Sequence, residues 1–196
     1  MPRPDMRAER IPQILEAAMA VFGRNGFAQT RMDDIAQEAG LAKATLYLYF
    51  PSKEALIAAI LETYFADGLD ELRAMSAARG PVADSLIGWM YRRMRELQDH
   101  PGYLGIGFEF HALATRDPQT RAIVLRAFEQ YRDALAAVLR GGMEHGEIAT
   151  GDATELAIAI ISLTEGLTML WMLEPQRRDL GGAAERAIQK LLKSTQ

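Results

Sequence analysis

Apolar residues recur along this chain at the spacing of an α-helix almost everywhere. Ile11, Ile14, Leu15, Ala18, Met19 and Phe22 share one helical face, and Gly23 with Asn25-Gly26 supplies a stop. A short helix follows from Met32 to Glu38, with Thr30 and Asp33 in a capping-box pattern before it and Gly40 after it. A second short helix runs from Lys43 to Tyr49 and Pro51 closes it. Ser52 can then N-cap a longer helix, 52–76, whose apolar face is Leu56, Ile57, Ile60, Leu61, Tyr64 and Phe65.

The second half continues the pattern. Pro81 suits the first position of a helix from Val82 to Gln98. A glycine-loosened helix covers Tyr103 to Thr115, and Asp117-Pro118 opens another that reaches Gly141. Residues 142–152 read as a loop; Asp152 with Glu155 then caps a helix that Pro175 ends after Leu173. A last helix carries Ala184, Ala187, Ile188, Leu191 and Leu192. About nine helices and no strand predict an all-α fold. The expected division is a three-helix N-terminal domain over 1–54 and a larger helical domain over 55–196, linked by the fourth helix.

Composition narrows the chemistry. The 196 residues contain no cysteine, which excludes disulfides, thiolate metal sites and a cysteine nucleophile. Three histidines are too few for a histidine-rich metal site. His-Glu-x-x-His, Glu-x-x-His, a Walker loop and Gly-x-Gly-x-x-Gly are all absent, so a helical enzyme or carrier is the weaker alternative reading. No cofactor is expected. The most apolar stretch, Leu156 to Leu173, is interrupted by Ser162, Thr164, Glu165 and Gly166, so it reads as a buried helix rather than a membrane span. The N-terminal arginines lack a following apolar segment, so a cytoplasmic address is expected.

Residues 30–50 carry the chemistry. Two short helices joined by Glu38-Ala39-Gly40-Leu41-Ala42 form a helix-turn-helix, whose second helix enters the major groove with its first residues at base edges. Those residues are Ala42, Lys43, Ala44 and Thr45. Lys43 can reach guanine, and Thr45 can donate to a base or phosphate. Tyr47 and Tyr49 offer hydroxyls to phosphates, while Phe50 belongs to the core. Lys53 opposes the dipole of the next helix, a tension that a phosphate relieves. Arg3, Arg7 and Arg10 are a candidate minor-groove arm diluted by Asp5 and Glu9.

The string Ile14-Leu15-Glu16-Ala17-Ala18, Phe22, Gly26-Phe27, Thr30, Asp34-Ile35-Ala36, Ala39-Gly40, Thr45-Leu46-Tyr47-Leu48-Tyr49-Phe50 and Ser52-Lys53-Glu54-Ala55-Leu56 resembles the N-terminal domain of the TetR family of repressors. Weaker signatures follow at Gly146-Glu147-Ile148 and Glu165-Gly166-Leu167. The resemblance implies that Thr30 contacts phosphate, that Lys43 and Thr45 read or flank bases, and that Tyr47, Tyr49 and Lys53 grip the backbone. Ala42 stands where the family usually has Ser or Thr, and Ala44 where it usually has Gly. The partners it implies are double-stranded operator DNA, a second copy of the chain and a small-molecule effector.

The second half is read for a dimer and a pocket. Leu156, Ile160, Leu163, Leu167 and Leu170 share a helical face, beside a small-residue stripe of Ala159, Ser162 and Gly166. Together with Ile188, Leu191 and Leu192 they are the expected homodimer interface, with Ile158, Ile161, Met169 and Met172 turned inward. Pocket candidates are Trp89, Met90, Met94, Phe108, Phe110, Phe128, Tyr131, Met169 and Met172. Arg93 falls inside the apolar arc of its helix, and Glu165 inside that of its own. Arg93 is therefore expected to pair with Glu109 or Glu165, to anchor an anionic ligand, or to snorkel to solvent. The effector is expected to be mainly apolar, with an anionic group left open. A DNA-bound regulator with no ligand is the third reading.

Charge first argues against DNA: the net is −4 and the pI about 5.5. The first 54 residues, however, hold seven basic and seven acidic side chains, so the excess acid lies beyond them. Affinity follows local charge at the phosphates, and Lys43, Lys53 and Arg31 make a modest positive face.

Overall fold

Capping interactions begin several of the helices where the sequence places them. In the computed structural model, which describes residues 7–78, 80–99, 101–174, 176 and 180–193, they are α1 Arg7–Asn25, α2 Met32–Glu38, α3 Lys43–Tyr49, α4 Lys53–Ala77, α5 Val82–Asp99, α6 Pro101–Ala114, α7 Pro118–Glu144, α8 Ala153–Leu173 and α9 Leu180–Lys193. No strand occurs among the described residues. Ser52 Oγ accepts from the Ala55 N–H, 3.2 Å, at the start of α4. Asp117 Oδ2 accepts from both the N–H and the hydroxyl of Thr120 at 2.6 Å. Asp152 Oδ1 accepts from Thr154 and Glu155 N–H at 2.7 and 3.1 Å. Each satisfies donors that a helix start leaves open.

Three expectations at helix ends are corrected. The N-cap of α2 is Arg31, not Thr30; Asp34, three residues on, accepts from the Arg31 N–H at 2.8 Å. Pro81 lies just ahead of α5, whose first-turn Val82 N–H is taken by Glu147 Oε2 at 2.6 Å. Gly142 stays helical inside α7, and the turn comes later, at Gly146 with φ +72°. Of the candidate basic arm, Arg7 and Arg10 sit in the first turns of α1, with Arg10 bonded to Gln13, and Arg3 lies outside the described residues.

The chain forms two compact units, Met1–Tyr64 with Gly102–Val124, and Phe65–Pro101 with Leu125–Gln196. A division after Glu54 assigns 102–124 to the second domain, whereas the folded chain gathers that segment with the helix-turn-helix. In the first unit, Ile14, Ala18, Val21 and Phe22 of α1 pack with Ile35, Leu46, Leu56 and Ile57 in a closed core. Arg24 at the end of α1 pairs with Glu38 at the end of α2, 2.6 Å. Gln13 Nε2 donates to the Ala39 carbonyl at 2.8 Å and so fastens α1 to the turn before α3. The turn needs Gly40, whose φ of +64° costs other L-residues strain.

The second unit packs α5, α7, α8 and α9 with the end of α4. Its core is built on Leu72, Leu86, Trp89, Leu139, Ile160 and Ile188. Ile160, Ile188 and Leu192, expected at the dimer interface, are all but fully buried within their own protomer and are removed from that surface.

Candidate nucleic-acid interface and effector site

Helix α3 owes its orientation to two side chains. Leu46 and Phe50 are sunk in the first unit's core, which turns Lys43, Ala44, Tyr47 and Leu48 outward. Ala42 is the N-cap with no side-chain hydrogen bond, as an alanine there dictates, and is exposed. Thr45 and Tyr49 lie half-buried at the edges of this face. Tyr47 is 43% exposed. Arg31 is exposed at the start of α2.

Other expected contacts are engaged within the chain. Lys43 Nζ lies 2.8 and 3.0 Å from the two Asp33 oxygens, a bridge from α3 to α2. That bond holds the Lys43 ammonium above its ordinary titration range. Thr30 is buried and its hydroxyl donates to the Gly26 carbonyl at 2.7 Å, so it shapes the α1–α2 turn instead of facing phosphate. Lys53 Nζ donates to the Phe27 carbonyl at 2.7 Å and sits 4.4 Å from the centre of the Phe27 ring. The partner that relieves it at the start of α4 is therefore a carbonyl of the same chain.

Phe27 is a junction. Its ring meets Phe22 at 5.5 Å and, edge-on, Phe110 of α6 at 6.2 Å. Its N–H donates to Glu109 Oε2 of α6 at 2.5 Å. Gly26 before it takes φ +74°, and a Cβ there would stand 3.2 Å from Glu109 Oε1. Helix α6 is thus fastened to the α1–α2 turn by both a carboxylate and a ring. Phe110, a pocket candidate, belongs to this contact; Phe108 lies against His111. Glu109, expected as a buried partner of Arg93, is exposed and bonds Phe27.

Comparison with known proteins decides the family. Residues 14–60 match "Bacterial regulatory proteins, tetR family", and residues 90–195 match "BetI-type transcriptional repressor, C-terminal". The chain belongs to the TetR family of bacterial transcriptional regulators. Family members of this kind are regulators, not enzymes. The chain is 28% identical over 182 residues to the uncharacterized HTH-type transcriptional regulator YfiR of Bacillus subtilis, covering 91% of this chain and 88% of that protein. It is 29% identical over 187 residues to the HTH-type transcriptional regulator TtgR of Pseudomonas putida, covering 89% and 85%. Among solved structures it resembles the regulator FadR of Bacillus subtilis in complex with stearoyl-CoA, with a TM-score of 0.81, 21% identity and coverage of 94% and 99%. A SmeT–triclosan complex has a TM-score of 0.79 at 22% identity, covering 94% and 90%.

In this TetR-family chain, the second unit gathers aromatic rings around Tyr131. Phe65 and Trp89 each lie 5.7 Å from it, centre to centre. A Cβ on Gly68 would stand 3.6 Å from both Arg93 Nε and Tyr131 Cε2. Arg93, with its side chain 15% exposed, pairs with Glu96 one turn on at 2.7 Å. One acid that holds it is therefore a neighbour on its own helix. Trp89 is buried, and its Nε1–H has no hydrogen-bond partner among the described residues. Met90 and Met94 are core residues that also line a shallow groove between α5 and α9. Phe128 and Glu165 are half-buried.

The face of α8 turns out differently from the expectation. Ile158, Met169, Leu170, Met172 and Leu173 are exposed, as are Ala159 and Ser162. Ile158, Met169 and Met172 are thus outward, not inward, and the two methionines do not line an enclosed pocket. Leu156, Leu163, Gly166, Leu167 and Leu191 are half-buried. Ile160 turns into the core with Ala157 and Thr168.

Proposed function

We propose that this chain is a ligand-responsive repressor that binds a palindromic operator as a homodimer and leaves it when a small molecule occupies the second unit. The observation that carries the reading is α3 itself. Two buried anchors, Leu46 and Phe50, hold a seven-residue helix with Lys43, Tyr47 and their neighbours facing out. A helix fixed in this way can enter a major groove about 12 Å wide.

Dimerisation is supported by α8. It is the one helix among the described residues long and apolar enough to cross a membrane, and little of it is buried in its own protomer. In a regulator that acts on DNA in the cytoplasm, a second copy of α8 covers this face. A two-fold pair places its recognition helices about one DNA turn apart, ~34–36 Å.

The effector reading rests on Trp89, Tyr131, Phe65 and Arg93. A buried donor without an acceptor costs about 1–3 kcal/mol, and the Trp89 N–H is such a donor. A mainly apolar molecule bearing a hydrogen-bond acceptor or anionic group satisfies it and meets the guanidinium. Stearoyl-CoA and triclosan, held by FadR and SmeT, both combine an apolar body with polar oxygen. Such a ligand favours one conformation by its differential affinity and shifts the population off DNA.

An electrophoretic shift on DNA from the chain's own upstream region tests the reading. Lys43→Ala and Tyr47→Ala weaken a genuine shift; unchanged shifts in both variants contradict it.

A further inference from the structure

The outward face of α3 has two rows, each joined at a spacing of four residues. Lys43 and Tyr47 form one row, which is polar. Ala44 and Leu48 form the other, which is apolar. Leu48 is 76% exposed, more than any other large hydrophobic side chain among the described residues. Nothing in the first unit covers it, because Leu46 and Phe50 on the opposite side fill the core contact of this helix. An isolated exposed leucine needs no explanation. This one stands on the helix that the proposed function sends into the major groove, beside Tyr47.

The hydrogen-bonding inventory of that face is short. None of its four outward residues is Asn, Gln or Arg, so it has neither the amide pair that reads adenine nor the fork that reads guanine. Lys43 is the one long donor, and Asp33 already engages it. What remains for base discrimination on this row is apolar contact, and the apolar group a base pair shows in the major groove is the thymine C5-methyl. The helical rise of about 1.5 Å per residue separates Ala44 from Leu48 by about 6 Å along the axis. That span matches about two base steps of about 3.4 Å.

We infer that Ala44 and Leu48 read thymine methyl groups at base pairs two steps apart in each operator half-site, and that Leu48 is a specificity-determining residue. The inference rests on the DNA-binding reading above. The side chain buries its isobutyl group against the methyls, while Lys43 and Tyr47 hold the register.

The test uses the full chain and a duplex selected from a random DNA pool by binding to it. A second probe replaces every thymine of that duplex with deoxyuridine, which removes the methyls and leaves the hydrogen-bonding edges. Fluorescence anisotropy is expected to show at least tenfold weaker binding to the uracil probe, the scale of burying about two methyl groups in each half-site. Leu48→Ala is expected to lose most of this discrimination, keeping only the part that Ala44 contributes, with unchanged thermal unfolding, since Leu48 supports no core contact. Equal binding of the two probes by the unaltered protein overturns the inference while leaving DNA binding intact. Discrimination undiminished in Leu48→Ala also overturns it, and assigns the exposed leucine to contact with another protein. If selection enriches no sequence, the DNA-binding reading fails and this inference falls with it.

Discussion

The backbone N–H of Phe27 donates a hydrogen bond to the carboxylate of Glu109, tying the turn between α1 and α2 to α6. Its carbonyl accepts from Lys53, so one peptide segment connects α1, α4 and α6. A hydrogen bond to a charged group at a partly exposed site contributes about 1 kcal/mol net. Glu109→Ala is expected to lower stability by about that amount in a urea titration. The larger effect is expected on regulation: operator affinity stays within about twofold, and the effector releases the DNA far less completely. Full release by effector in Glu109→Ala would show that this tie takes no part.

Gly26 and Gly40 offer a matched comparison. Both take positive φ, but a Cβ on Gly26 stands 3.2 Å from Glu109 while nothing crowds Gly40. Gly40→Ala is expected to cost about 1–2 kcal/mol from conformation alone. Gly26→Ala is expected to cost more, because it also displaces the Glu109 carboxylate. Urea midpoints of the two variants check the order, and equal losses contradict it.

Asp33 holds Lys43 in the free protein, and a phosphate or guanine competes with it for the same ammonium. Asp33→Asn removes the competitor and one negative charge from the DNA-facing side. Binding to a selected operator is expected to tighten several-fold, most at low salt. Unchanged or weaker binding, measured by anisotropy across a salt series, counts against Lys43 facing DNA.

Acid sensitivity follows from two carboxylates. The Thr120 hydroxyl and N–H hold Asp117 below the usual carboxylate range, and the Arg24 guanidinium does the same for Glu38. Folding lowers both, so the unfolded chain binds more protons. Their stabilisation is fully present above the ordinary carboxylate value and disappears as pH falls through the lowered folded values. Asp117→Asn with Glu38→Gln is expected to flatten the loss of stability below about pH 4. A wild-type slope in the double variant refutes the assignment.

Much of this architecture is legible in the sequence because caps and stops are local. Ser52, Asp117 and Asp152 announce their helices through their own side chains. The phase of α8 is not legible: a helix apolar on nearly every side has no polar stripe to show which face turns in, so Ile158 and Ile160 exchange roles. Thr30 and Lys53 escape for another reason. Their partners, Gly26 and Phe27, are set by how the α1–α2 turn closes. Leu48 hides in a run of core-like residues, and only the buried positions of Leu46 and Phe50 reveal that it faces out.

The apolar face of α8 gives a prediction that leaves the protomer's core untouched. Ile158→Glu with Met169→Glu places charge where two copies are proposed to meet, on side chains already exposed. Sedimentation is expected to show a folded monomer with operator affinity reduced at least a hundredfold, since two half-sites are no longer joined. A dimer that survives both substitutions moves the interface elsewhere.

The most direct measurement is a nuclease footprint of the full chain on the DNA upstream of its own gene. The account predicts a protected, two-fold symmetric stretch with half-sites one helical turn apart. Protection disappears in Tyr47→Ala and on adding an effector that quenches tryptophan emission. A footprint without two-fold symmetry, or one indifferent to Tyr47, would contradict it.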